Sequence, residues 1–139
     1  MVAKINLINH SGRRLPAAFV KTADQLLARA IKLTGRNLVE LTIIIVTPQR
    51  MKQLNYTYRR RAKVTDVLSF NYANPKGLGG EIFICLTQAI KQAKHFGEAI
   101  TEELNFLFIH GCLHILGYDH IERAERQQME KLEESILDL

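Results

Sequence analysis

Residues 104–116, LNFLFIHGCLHIL, are apolar nearly all the way round a helix. A helix without a polar face cannot lie on a surface and belongs in the middle of a fold. Yet this one carries two histidines four residues apart, His110 and His114, and runs on through Gly-Tyr-Asp to a third, His120. The rest of the chain has to enclose the segment while leaving its imidazoles reachable.

The flanking sequence supplies the means. With 139 residues, 47% of them hydrophobic, one domain spanning 1–139 is expected, with enough chain to bury a core. Residues 3–8 (AKINLI) and 40–46 (ELTIIIV) read as strands, the second buried on both faces. Between them Pro16 suits a first helical position, Phe19, Ala23, Leu26, Leu27 and Ala30 form one stripe, and Gly35 is a stop signal. Thr47-Pro48 is a cap and first-turn proline for a helix with Met51, Leu54 and Tyr58 on one side. VLSF (67–70) and EIFICL (81–86) read as an antiparallel pair across a loop rich in Asn, Pro and Gly. Thr87 is expected to cap a helix that ends near Gly97, and Thr101 to cap the central helix. A last helix from Ile121 places Met129, Leu132, Ile136 and Leu139 on one side. The order β-α-β-α-β-β-α-α-α predicts an α/β (α+β) domain, a mixed four-stranded sheet with helices packed on it.

On a helix, His110 and His114 stand one turn apart on the same face. Gly117 can end that helix sharply in a left-handed conformation, and the bend can return His120 to the first two. Three neutral imidazoles leave a fourth position open, the arrangement of catalytic rather than structural Zn²⁺. Imidazole also suits nickel, copper and iron. Cys112 points some ~160° round the helix from His114, at ~100° per residue, and is read as packing. His10 and His95 have no partner nearby. The spacing H-x-x-x-H-x-x-G-x-x-H is that of the metzincin proteases, with one departure. Those enzymes carry a glutamate base directly after the first histidine, where this chain has Gly111. A phosphodiester suits such a site better than a peptide, because a cation and an arginine can stabilise charge on phosphorus.

Charge supports that preference. The net charge is +5, but residues 1–63 hold 13 Lys/Arg against 2 Asp/Glu, and residues 64–139 hold 6 against 12. A basic half attracts polyanions, RNA first among them in a cytosol. The densest basic run is YRRRAK (58–63), whose Arg59 closes a helix just before TDVLSF. No apolar run reaches the ~18 residues of a membrane span. The two cysteines have no metal or redox spacing, which fits free thiols in the cytoplasm.

Taken together, LNYTYRRRAKVTDVLSF (54–70), GGEIFI (79–84) and HGCLHILGYDH running on into IERAERQQMEKLEE resemble the YbeY family of rRNA-processing metalloendoribonucleases. The resemblance implies a zincin-like helix whose His110, His114 and His120 hold one Zn²⁺ per chain. It implies that Arg59 engages RNA phosphate beside His114 in catalysis. The implied activity is single-strand-specific cleavage in 16S rRNA 3′-end maturation and ribosome quality control. The implied partners are single-stranded RNA and the small subunit, with neither DNA nor a membrane. Val64, Ala62, Asn71 and Glu81 depart from the usual family residues, and the departure leaves any polar role of Glu81 open. Asp119 is either a turn residue or an acceptor that orients a histidine. Glu122, Glu125 and Glu130 read as a solvated helix face. Two other readings remain, a metallopeptidase, which Gly111 disfavours, and a non-enzymatic ribosome factor with structural zinc.

Overall fold

The computed structural model describes residues 3–119 and 121–138. Its elements run β1 (Lys4–Asn9), α1 (Ala17–Thr34), β2 (Glu40–Val46), α2 (Pro48–Arg59), β3 (Val67–Asn74), β4 (Gly77–Cys85), α3 (Leu86–Phe96), α4 (Ile100–Ile115) and α5 (Arg123–Leu137). This is the expected order. The four strands form one mixed sheet, β1-β2-β4-β3, in which β1, β2 and β4 are parallel and β3 is an antiparallel edge strand.

The main core lies on one face of this sheet. There Phe19, Leu26 and Leu27 of α1, Ile43 and Ile45 of β2, and Ile82 and Ile84 of β4 pack with α4, α3 and α5. In α4, Leu104, Leu107, Phe108, Ile109, Cys112 and Leu113 are all at most 1% exposed, as a helix apolar on every side requires. Each such leucine or phenylalanine contributes about 1.5–3 kcal/mol by leaving water. On the other face α2 covers a smaller cluster of Ile44, Val46, Met51, Leu54, Leu68 and Cys85.

Two glycines set how closely α4 approaches the sheet. A Cβ on Gly80 would lie 2.6 Å from Ile115, and one on Gly111 would lie 3.1 Å from Ile82. Large side chains on one element therefore sit over bare backbone on the other, which is how close packing is reached here. Gly79 serves the opposite face, where the Tyr72 ring lies over it. The Tyr72 hydroxyl donates to Glu40 (2.7 Å), which also accepts from Asn74 (2.9 Å). That bond pushes the phenol up to about 12 and ties the far end of β3 to β2.

Several boundaries differ from the sequence expectation. The hairpin is longer, because Pro75 and Lys76 alone make the turn and the Asn74 side chain accepts from the Lys76 N–H. Pro16 precedes α1 rather than opening it. Thr87 and Thr101 cap nothing, since α3 and α4 each start one residue earlier. At α4 the capping contact comes from inside the helix, where the Glu102 carboxylate accepts the Ala99 N–H (3.0 Å). α5 begins at Arg123, and Ile121 is exposed in the preceding turn. The Thr47 cap is as expected, accepting from the Arg50 N–H.

Candidate metal centre and cleft

The last turn of α4 is built to end abruptly. Gly117 adopts φ +101°, its N–H donates to the His114 carbonyl, and the Tyr118 N–H donates to the Leu113 carbonyl. This is the paired bonding of a glycine-terminated helix. Arg36, at the end of α1, braces the bend. Its guanidinium donates to the Leu116 carbonyl (2.8 Å) and lies 4.4 Å from the centre of the Tyr118 ring. The chain is thereby turned towards Asp119. His120, the third expected ligand, lies outside the described residues.

His110 and His114 do converge. Their Nε2 atoms are 3.2 Å apart, with the rings at 77°. Behind His110, its Nδ1 meets Glu133 of α5 at 2.8 Å. Glu133 is 7% exposed and lies between Met129 and Ile136 on the inward side of α5. A carboxylate can only accept, so this contact places the proton on Nδ1. In the neutral ring it leaves the Nε2 lone pair directed at His114. Two nitrogens bound to one tetrahedral Zn²⁺ at about 2.0–2.1 Å stand about 3.3–3.4 Å apart. Both the observed separation and the tautomer that Glu133 selects therefore fit a shared cation. Among the described residues no group of three ligating side chains is gathered. Cys112 is wholly buried and burial pushes its thiol far above the usual range, in keeping with packing rather than ligation.

The histidine pair opens into a cleft of about 790 Å³. One wall is α4 and its bend, including Gly111 and Asp119. The other is the edge strand β3 from Val67 to Asn71, with Arg59 beside it. Arg59 is the last residue of α2, and its guanidinium lies 5.4 Å over the Phe70 ring. Phe70 is itself packed on Tyr58 and Phe83. The next residue, Arg60, has φ +58°, the one non-glycine residue with positive φ among those described. The Asn55 side chain, buried in α2, donates to the Lys63 carbonyl (2.9 Å) and pins the loop that follows. At the other end of that loop Asp66 accepts from the Val67 N–H (2.8 Å) and from Gln92 (3.2 Å), fixing where β3 begins.

The remaining sequence candidates are distributed as follows. Glu81 lies between Gly80 and Ile82, which face α4, so its side chain is on the opposite face of the sheet, away from the histidines. Glu122, Glu125 and Glu130 are exposed, as expected, and so are His10 and His95. Two functional contacts were not anticipated. Glu133 differs from the other acidic residues of its helix in occupying the inward stripe, and that position was the available signal. Arg36 carried none, because its partners are about 80 residues further along the chain. Arg29 acts similarly at the end of α5, donating to the Ile136 and Asp138 carbonyls. Part of the basic character of the first half thus serves helix C-termini, where cations are favoured.

The chain is similar to known proteins over most of its length. Residues 6–139 match the model of a family described as Endoribonuclease YbeY. Proteins of that name from Psychromonas ingrahamii and Thermodesulfovibrio yellowstonii are 39% and 36% identical, over 88% and 90% of this chain and 80% and 81% of their own lengths. One from Staphylococcus carnosus is 39% identical over 71% of each chain. The solution structure of TM1509 from Thermotoga maritima superposes with a TM-score of 0.62 over 95% of this chain and 88% of that one. At 24% identity it is a likeness of fold.

Proposed function

The chain belongs to the YbeY family, and from that premise we propose that it is a zinc-dependent endoribonuclease specific for single-stranded RNA. Its setting is the cytoplasm, in 16S rRNA 3′-end maturation and ribosome quality control, with the small subunit as partner and residues 1–139 as one catalytic domain. Among the described residues no helix is long and apolar enough to cross a membrane. The observation that carries the proposal is the converging Nε2 pair of His110 and His114 in one cleft with Arg59.

His110 and His114 would hold the cation, with His120 as third ligand. Bound there, Zn²⁺ supplies a Lewis acid to the scissile phosphoryl group. Arg59 presents a guanidinium fork that matches non-bridging phosphate oxygens. Its guanidinium carbon lies 5.4 Å from the centre of the Phe70 ring, a cation–π contact that favours this placement beside the cleft. The guanidinium strengthens its hold as negative charge grows on those oxygens, which is the condition for accelerating the reaction. Gly111 offers no carboxylate next to His110, so the base that a peptidase of this spacing uses has no counterpart.

The test is metal analysis beside cleavage of a single-stranded oligoribonucleotide and a peptide panel. About one zinc per chain is expected, with RNA cut, peptides left intact, and cleavage lost on chelation and restored by Zn²⁺. Peptide hydrolysis without RNA cleavage would overturn the proposal. Glu133 is assigned the task of holding the His110 proton on Nδ1. Glu133→Gln should lower zinc affinity by about 10- to 100-fold, read by competition with a chromophoric chelator. Unchanged affinity would remove Glu133 from the centre.

A further inference from the structure

The cleft has one wall that the histidines and Arg59 leave unexplained, the outer edge of β3. The Cys85 N–H donates to the Asp66 carbonyl at 2.9 Å, making these two a hydrogen-bonded pair in the antiparallel ladder. Such pairs alternate along the strand. Residues 68, 70 and 72 therefore bond inward to β4, while 67, 69 and 71 turn their N–H and C=O outward. Among the described residues no strand lies on that side. The Val67 N–H is taken by Asp66. The outward groups of Ser69 and Asn71 have no hydrogen-bond partner among the described residues, and both residues line the cleft that holds the histidine pair.

We propose that this edge is a nucleobase subsite, in which the backbone N–H and C=O of Asn71 read the base next to the scissile phosphate and those of Ser69 are left for a neighbouring nucleotide. The inference rests on the endoribonuclease reading and adds to it the part of the substrate recognised. Each outward residue shows a donor beside an acceptor, and the two sets are about 6.8 Å apart. A phosphate would satisfy the N–H and leave the carbonyl facing oxygen. An unpaired base carries donors and acceptors side by side on its Watson–Crick edge, the edge that proteins read in single-stranded RNA. In a duplex that edge is already occupied, so this wall accepts only an unpaired nucleotide. An extended peptide could also pair with a strand edge, but it brings nothing anionic to Arg59.

Proline at position 71 deletes the outward N–H and spares the ladder, because prolines are accepted on sheet edges with that side free. The experiment measures kcat/KM on an oligoribonucleotide with one cleavage point and on its counterpart with an abasic residue beside that point. Wild type should prefer the intact RNA by about 5- to 20-fold, the scale of lost hydrogen bonds to a buried partner. Asn71→Ala, which keeps the N–H, should retain that ratio. Asn71→Pro should collapse it, cutting both RNAs at about the abasic rate, with zinc affinity and melting temperature as checks on folding. Wild type that cuts both RNAs equally overturns the subsite alone, and so does a ratio that survives in Asn71→Pro. Wild type that cuts neither overturns the endoribonuclease reading with it. An extended peptide that protects the Asn71 amide from exchange, beside base-independent cleavage, would assign the edge to polypeptide and overturn the proposal.

Discussion

Arg59→Ala and His114→Ala are both expected to abolish RNA cleavage, by routes that can be told apart. His114 supplies one of two nitrogens already 3.2 Å apart. Removing it leaves the cation one nitrogen fewer, so zinc content should fall well below one per chain and cleavage with it. Zinc that stabilises only the folded state raises the melting temperature by mass action. The same variant should therefore lose the zinc-dependent rise while its chelated form melts near the chelated wild type. Arg59 touches no histidine. It lies over Phe70 at the mouth of an exposed loop, so Arg59→Ala should keep its zinc and its melting temperature. Removing one preorganised positive group from a developing oxyanion costs about 10²- to 10³-fold in rate, and the loss should appear in kcat more than in KM. Arg59→Lys should recover little, because an ammonium cannot reproduce a planar fork. Were Arg59→Ala to lose its zinc, the residue would be structural. Were both variants to cut at the wild-type rate, the cleavage would belong to a contaminant.

Much of this arrangement was legible because it is local. The 3.6-residue period gave α1 and α5 their inward faces, and the absence of any period put α4 in the centre. Histidines at i and i+4 had to share a face, and Gly117 had to be where the helix turned. What failed was of two kinds. A hydroxyl is the common capping group, so Thr87 and Thr101 read as caps, whereas at α4 Glu102 reaches back from the first turn and makes the threonine unnecessary. Gly79 and Gly80 disfavour strands by propensity, so the sequence alone places the start of β4 at Glu81, whereas the strand begins at Gly77. The two glycines stand within it because Tyr72 and Ile115 occupy the space above them, and a propensity does not register a partner elsewhere in the chain. The same distance hid Glu133 from His110, 23 residues away, and Arg36 from Leu116, 80 residues away. Charge read by halves overstated what is free for RNA, since Arg29 and Arg36 bind carbonyls.

Gly111→Glu restores the residue that the metzincin spacing calls for, and it should destroy the protein rather than create a peptidase. Position 111 lies on the side of α4 pressed against β4, where an added Cβ would sit 3.1 Å from the Ile82 side chain. Gly111→Ala already requires Ile82 to give way by a few tenths of an ångström. Overpacking of this kind costs about 1–3 kcal/mol, offset by about 1 kcal/mol of helix propensity gained when alanine replaces glycine, so the melting temperature should fall by no more than about 8 °C in a domain of this size. A glutamate has to seat a longer side chain between Ile82 and the cleft wall that Gly111 forms, and whatever part of its carboxylate is held against Ile82 has no partner. An unpaired buried charge costs several kcal/mol more or is protonated at that expense. Against a typical total stability of about 5–15 kcal/mol, Gly111→Glu should be largely unfolded or lack a cooperative transition, while Gly111→Ala folds and keeps its zinc. Thermal melts of the pair, with zinc content and a peptide assay on whatever folds, decide it. A Gly111→Glu protein that melted like wild type and hydrolysed peptides would mean that α4 can withdraw from the sheet, and that one absent carboxylate, rather than the packing of a helix on a strand, separates this cleft from a protease.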